Sequence, residues 1–488
     1  MSQMLAAMIL IPLVSAVIVA FVPPGRGALA RWITIAATGI ELAVAWWLWA
    51  TFDRTDGSMQ FEFTAAWIPG LGSSLHLGVD GLSLPLVLLT ALLTLLATIA
   101  SVNIRDLASR YFMFLLLLEA GLVGVFVALD LILFYLFWEV VLIPMFFLIS
   151  IWGGDNRRYA ALKFFVYTLA GSLAMLGAII ALFLLTGAQT FDMLTLAPLA
   201  GALSPATQTA LFAALAVALA IKVPIVPFHT WLPDAHVEAP TAVSVLLAGV
   251  LLKMGSYGFL RFGPQLLPAG FDALAPLIAT LGVVSVVYGA AAALAQTDLK
   301  KLVAYSSVSH MGYVMLGIAS GTAAGVLGAS VQMFSHGLIA GTLFLLVGAL
   351  YERAHTRQID AFGGIAKVTP VLAGTLVFAS FASAGLPGLS GFVGEFLVVV
   401  GSFAALPAHA ATAAAAVVLT VAYLLWMLRR VAFGQLNEER AEMPDMRVAE
   451  YASIMPLCAV TAAVGIHPTL LVAVAGPSAE ALARLMSG

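Results

Sequence analysis

Four charged side chains stand where charge is costly. Glu139 lies in FYLFWEVVLIPMF, Lys222 in AVALAIKVPIVPFHTW, Lys253 in VSVLLAGVLLKMGSYGF and Glu395 in LSGFVGEFLVVV. Each is flanked by apolar residues on both sides, too deep to snorkel easily. A charge at a bilayer centre costs about 2.5–3.5 kcal/mol on insertion scales. Two amines and two carboxylates at such positions suit proton transfer, because each can hold and release a proton. A static buried ion pair is the competing reading, but such pairs often gain little stability. His310 and His336 fall between the charged segments, and imidazole titrates near neutral pH, so both read as relay members. Tyr305, Ser306, Ser307, Ser309 and Tyr313 surround His310 with hydroxyls able to order water. Glu41 and Glu119 also lie inside apolar segments. Each reads as a structural hydrogen-bonding acid or a further relay member, with Glu119 placed beside the relay.

Two other clusters imitate sites. His229 and the run Asp234-Ala235-His236-Val237-Glu238 offer metal-type ligands. They bring no cysteine and no fixed helical pair, so no metal is expected there. The glycines of 385–394 imitate a phosphate loop, but they follow no strand and sit in an apolar segment. No motif would hold NAD, flavin, haem or an Fe–S cluster. The single cysteine, Cys458, excludes intrachain disulfides and Fe–S ligation by this chain.

The elements that must position these residues follow from composition. Of 488 residues, 62% are hydrophobic and only 9% charged, against about 25% charged in a soluble domain. That excludes a soluble enzyme, a disordered chain and a nucleic-acid binder. An all-α polytopic membrane protein remains, since apolar runs of about 20 residues span bilayers as helices. Met1–Ala6 lacks a positive region, so no cleavable signal peptide is expected. Fourteen apolar segments are predicted, near 3–23, 29–51, 82–103, 111–129, 131–152, 161–187, 206–228, 240–261, 273–295, 300–319, 323–350, 370–403, 411–432 and 452–473. Sixteen of the 21 Lys and Arg fall in loops on one side of this arrangement. Only Arg54, Arg261 and Arg484 fall on the other, while Lys222 and Lys253 are inside segments. Basic loops face the cytoplasm, so both termini are expected on the outer side, with the acidic loop 52–81.

Segments 6 and 11 share a pattern. Phe164, Ala170, Gly171, Ser172, Leu173 and Leu176 match Phe334, Ala340, Gly341, Thr342, Leu343 and Leu346 at one constant offset. Two copies five spans apart run in opposite directions, the mark of an inverted repeat. Segments 4–8 and 9–13 would be the copies. Segment 7 carries Pro224 and Pro227, and segment 12 carries Pro387. Helices broken at corresponding places in two halves point to a transport site. The organisation expected is three N-terminal helices and the outer loop (1–110), a first repeat (111–262), a second (263–435), and a last helix with a tail (436–488).

Several strings now identify a resemblance: HLGVDGLSLPLVLLT at 76–90, FWEVVLIPMFFLISIWGG at 137–154, KVPIVPFHTWLPDAHVEAPTAVSVLLAGVLLKMGSYGFLRF at 222–262, QTDLKKLVAYSSVSHMGYVMLG at 296–317 and GLPGLSGFVGEFLV at 385–398. They cover the third to twelfth segments. The chain resembles the chain M (mitochondrial subunit 4) family of proton-pumping NADH:quinone oxidoreductase, respiratory complex I. That family is antiporter-like and related to Mrp-type cation/proton antiporters. The resemblance implies fourteen helices in two inverted five-helix repeats. It implies a key glutamate on helix 5 (Glu139), key lysines on broken helix 7 (Lys222) and helix 8 (Lys253), and a glutamate on broken helix 12 (Glu395) where relatives carry lysine. It implies proton movement without redox chemistry in this chain, with NADH, FMN, Fe–S clusters and quinone held by partner subunits. Chains L and N are the neighbours implied, and a bacterial inner membrane the location. An Mrp-type antiporter, a hydrogenase-complex membrane subunit and a passive scaffold are the other readings. The four mid-membrane charges speak against the scaffold.

Overall fold

The computed structural model describes residues 3–486. The N-terminal part comprises α1 (Gln3–Ala20), α2 (Gly27–Thr51), a hairpin of β1 (Gln60–Ile68) and β2 (Ser73–Val79), α3 (Leu84–Ala100) and α4 (Ala108–Val127). Next come α5 (Leu131–Trp152), α6 (Arg157–Thr186), the short α7 (Met193–Gly201), α8 (Pro205–Lys222) and α9 (Trp231–Glu238). One continuous helix follows: α10 (Thr241–Leu246) passes through a five-residue π turn at Leu247–Leu251 into α11 (Leu252–Phe262). The second half holds α12 (Pro268–Leu294), α13 (Leu299–Ala319), α14 (Ala323–Ala354), α15 (Pro370–Ser383), α16 (Ser390–Ala405) and α17 (Pro407–Val431). The chain ends with α18 (Val448–Ile466) and α19 (Thr469–Met486).

Among the described residues, fourteen helices, α19 included, are long and apolar enough to cross a membrane. α10–α11 and α14 are buried along their hydrophobic length. α1, α2, α6 and α17 turn large apolar side chains outward, among them Val17, Trp46, Leu184 and Val418. In water such a surface would drive association; in lipid it is the ordinary exterior.

The two five-helix repeats share details the sequence pattern did not contain. Asp130 caps α5 by accepting from the backbone of Ile132 and Leu133, and Asp298 caps α13 by accepting from Lys300 and Lys301. Each cap pairs with a segment further along its own repeat: Leu131 N donates to Phe191 O, and Leu299 N donates to Arg357 O, both at 2.9 Å. Both repeats also break a helix against their longest helix, α8/α9 beside α6 and α15/α16 beside α14.

Three expectations change in detail. The loop 52–81 contains an antiparallel hairpin. It is pinned by His76, which bonds Glu62 at 3.0 Å and also Asp192, and by Asp130, which accepts from Ser73 Oγ and Ser74 N at 3.0 Å. Residues 229–238, read as loop, mostly form α9, the second half of broken helix 7. The C-terminal stretch expected to end in a tail forms α19 after Pro468. α19 lies along the face of loop 52–81 rather than crossing: Ser478 Oγ accepts from Gly81 N and donates to Gly57 O, and Met486 meets Gly321. Segment 12 splits into α15 and α16, each too short to span alone, so its crossing is a broken one.

Candidate functional site

Helix 7 breaks where Pro224 and Pro227 remove backbone donors. α8 ends at Lys222, and the indole N–H of Trp231 donates to the Ile221 carbonyl at 2.9 Å, covering a carbonyl freed by the break. Lys222 is therefore held at a helix end inside the bundle. It is 1% exposed, and its Nζ has no hydrogen-bond partner among the described residues. The ring of Trp138 lies 5.0 Å from the ammonium and that of Phe164 5.9 Å. Such contacts contribute about 0.5–2 kcal/mol, far short of a lost hydration shell. The carboxylate whose charge reaches Lys222 is Glu139, next to Trp138 on α5. It makes no direct ion pair with Lys222; one of its oxygens, Oε1, is buried and unpartnered. Tyr135, one turn earlier, sits beside Glu139 and Ser172.

Lys253 is the second residue of α11, in the first α-helical turn after the π turn. A π turn displaces carbonyls from their i→i+4 partners and often marks a functional site. Here Lys253 Nζ donates to the Ala248 carbonyl at 2.6 Å and lies 2.7 Å from Nδ1 of His336 on α14. The His336 ring is 5.7 Å, centroid to centroid, from that of His310 on α13. His310 Nδ1 lies 2.7 Å from Glu395 Oε1, and its Nε2 lies 3.0 Å from Ser383 Oγ. Gln332 donates to the same Glu395 oxygen at 3.1 Å. Lys253, His336, His310 and Glu395 thus form one buried line.

The hydrogens on that line are constrained. While Glu395 is a carboxylate it only accepts, so His310 Nδ1 then carries the hydrogen between them; a protonated Glu395 would donate it instead. The Ser383 hydroxyl can donate or accept, so His310 keeps both contacts whether neutral or charged. The break at Pro387 shapes this end. Gly385 and Gly388 adopt φ of +75° and +92°, left-handed values that glycine takes without strain. Lys222 closes the half-helix before its break, whereas Glu395 lies in the half after its own, so the two are not at equivalent positions of the two breaks.

Two further groups were missed. His236, set aside in a metal-like run, is wholly buried on α9 with both ring nitrogens unpartnered, and its ring stacks on Phe344 at 4.4 Å. The charges of Lys300 and Lys253 both reach it. Lys300 is buried as well, with Nζ on the Ala239 carbonyl. It lines a cavity of about 210 Å³ with Glu238, Arg357 and Tyr351, on the side of the basic loops. The cue in the sequence was a polar residue two after Asp234 in a stretch that apolar segments flank. Arg261, counted as a loop cation, is instead buried 2.6 Å from Asp80 and stacked on Tyr257. Glu119 does not join the line; it faces Glu41 between α2, α3 and α4.

Two inverted five-helix repeats, each with a broken helix beside buried ionisable groups, define an antiporter-like membrane subunit. Residues 128–421 match the family described as "NADH:quinone oxidoreductase/Mrp antiporter, TM", and the chain belongs to that family. It is 45% identical over 500 residues to NADH-quinone oxidoreductase subunit M of Rhodobacter capsulatus, covering 99% of this chain and 97% of that one. It superposes on a chain of respiratory complex I from Thermus thermophilus with a TM-score of 0.91, 34% identity, and coverage of 99% and 100%. A chain of the Mrp complex from Dietzia sp. DQ12-45-1b shares the fold, with a TM-score of 0.89, 24% identity, and coverage of 100% and 99%. The subunit M resemblance read from the motifs is borne out.

Proposed function

We propose that this chain moves protons across the membrane as a subunit of respiratory complex I, driven by NADH-to-quinone electron transfer in other subunits. The observation that carries the reading is the line Lys253–His336–His310–Glu395, which joins the first repeat to the second through groups that can each exchange a proton.

The Lys222 ammonium has no hydrogen-bond acceptor, so Glu139 is the main support of its charge. Moving or neutralising Glu139 withdraws that support, and Lys222 gives up its proton toward Lys253. His336 has a free Nε2 to pass a proton on, and His310 can carry charge without breaking its contacts. These groups act as one titrating set. The cavity at Lys300 and Glu238 is the entry from the basic side, through His236. Glu395 borders a second cavity of about 260 Å³ with Phe392 and Phe396, and exit begins there.

The drive comes from partner subunits, which hold the NADH, FMN, Fe–S and quinone sites. Neighbouring antiporter-like chains of the L and N type fit two outward apolar faces: Phe396, Val400 and Phe403 on α16, and Leu136, Ile143 and Phe147 on α5. The membrane is the bacterial inner membrane, with the basic loops cytoplasmic and both termini outside. Proton uptake into inverted vesicles, driven by NADH, tests the reading. Uptake that stops in line variants of an assembled complex supports it. Uptake that needs sodium and no electron donor would instead make the chain a cation/proton antiporter.

A further inference from the structure

Glu41 and Glu119 stand apart from the line. Each sits near the middle of its helix, α2 or α4, and each is wholly buried. Their carboxyl groups face one another, with Thr94 of α3 beside Glu119. Among the described residues, none of the four carboxyl oxygens has a hydrogen-bond partner of good geometry, and the Thr94 hydroxyl is within reach of Glu119. The hydroxyls on this face are already committed. Thr38 donates to the Thr34 carbonyl, Thr90 to Leu86, Thr94 to Thr90 and Thr98 to Thr94. Among the described residues, no Lys, Arg or His charge reaches the two acids.

Two carboxylates side by side in an apolar interior do not both ionise. We propose that Glu41 and Glu119 together hold one shared proton, forming a carboxyl–carboxylate pair that is a second proton-binding site of this chain, outside the Lys–His–Glu line. The pair supplies the donor that the surroundings lack: the O–H of one acid is the hydrogen bond of the other. A sodium ion is the poorer occupant. Membrane cation sites draw on main-chain carbonyls freed by unwound helices, and α2, α3 and α4 run unbroken at this depth.

The site has a route to the line. Gly121, two residues past Glu119, is packed so closely on α5 that a Cβ there would lie 2.8 Å from Val141 Cγ2 and 3.3 Å from Val140 Cγ1. α4 and α5 run antiparallel, so Glu119 and Glu139 lie within about one helical turn (~5 Å) of each other in depth on touching helices. The single charge of the pair adds to the field at Glu139, and a change in its proton count changes that field. Only this influence rests on the proposed proton path; the shared proton does not.

Infrared spectra of the assembled complex test the pair. The parent should show a carboxylic C=O stretch that shifts in D2O and that Glu41→Gln/Glu119→Gln removes. Each single variant should keep a carboxylic band but move it to a new frequency, because the remaining buried acid stays neutral and now faces an amide instead of a carboxylate. A double-variant spectrum equal to the parent's would overturn the shared proton. A band left at the parent's frequency in either single variant would place the proton on one acid alone, unaffected by its neighbour, and overturn the sharing. A parent band that disappears when sodium replaces potassium would make this a cation site instead. Should the double variant not assemble, the band shifts of the two single variants, which keep the shape of the pair, give the comparison. NADH-driven proton uptake should fall further in the double variant than in either single one. Equal uptake in all three, with the band shifted or lost as expected, would leave the pair but sink its influence on Glu139.

Discussion

The Nζ of Lys253 lies 2.7 Å from Nδ1 of His336, although the two residues belong to different repeats of the fold. The π turn at Leu247–Leu251 lies just before Lys253, and the Ala248 carbonyl within it holds the Lys253 amine from the other side. The joint between the halves is thus a place where a proton can change hands, and it carries the predictions below.

Glu139→Ala removes the carboxylate that supports the Lys222 charge. Proton uptake into inverted vesicles should fall by roughly a hundredfold or more, the usual scale for losing a proton-transfer group. The complex should still assemble on native gels, since Glu139 makes no direct ion pair. Uptake near that of the parent would remove Glu139 from the path.

Lys222→Ala should be severe. Lys222→Arg keeps a cation beside Trp138 and Phe164, but arginine does not readily deprotonate. It should assemble and pump poorly. Lys253→Ala should be milder or comparable, because His236 lies within the reach of Lys253 and Lys300 both. Parent-like pumping by Lys222→Arg would show that proton release from Lys222 is no part of the mechanism.

Asp80→Ala tests a structural pair. It leaves the Arg261 guanidinium buried against Tyr257 without its counter-ion, a change that costs about 3–5 kcal/mol. The yield of assembled complex should drop, and Asp80→Ala/Arg261→Met should restore part of it. Full assembly of the single variant would show that water reaches Arg261.

The hairpin should loosen at alkaline pH. The hydrogen bond to Asp192 raises the pKa of His76 above its ordinary value, burial pulls the other way, and Glu62 adds to the rise. A group whose pKa rises on folding stabilises the fold fully below its unfolded value, and that contribution fades as pH climbs through the folded value. Amide exchange of β1 and β2, corrected for its intrinsic pH dependence, should therefore quicken as pH passes above the ordinary histidine range. His76→Gln should abolish that step. A pH-independent protection in the parent would contradict the assignment.

Much of this molecule is legible in its sequence because lipid imposes one rule: backbone polar groups must pair within helices. Apolar length alone thus gives the spans, and charges within them give Glu139, Lys222, Lys253 and Glu395. What escaped has local reasons. α9 carries Pro233, Asp234, His236 and Glu238, which read as loop until the break in helix 7 turns them into the bundle. α19 interrupts its apolar run with Gly476 and Pro477, so it resembles a tail. The pairing of Glu41 with Glu119 and of Asp80 with Arg261 joins residues far apart in the chain, and no spacing rule reaches across that distance. The line from Lys253 to Glu395 is of the same kind: its members were found one by one, but their order is a property of packing.

The central claim is that protons travel this line to Glu395, and its exit end is the most direct place to test it. Glu395→Gln keeps the shape, the contact with Gln332 and the packing beside Gly385, but it cannot titrate. Glu395→Lys restores a titratable group and should retain more activity than Glu395→Gln. The measurement is NADH-driven proton uptake into inverted vesicles by the assembled Glu395→Gln complex. A strong loss of uptake, with assembly intact, is the expected result; uptake equal to the parent's would mean that the protons leave elsewhere and that Glu395 only holds His310 in place.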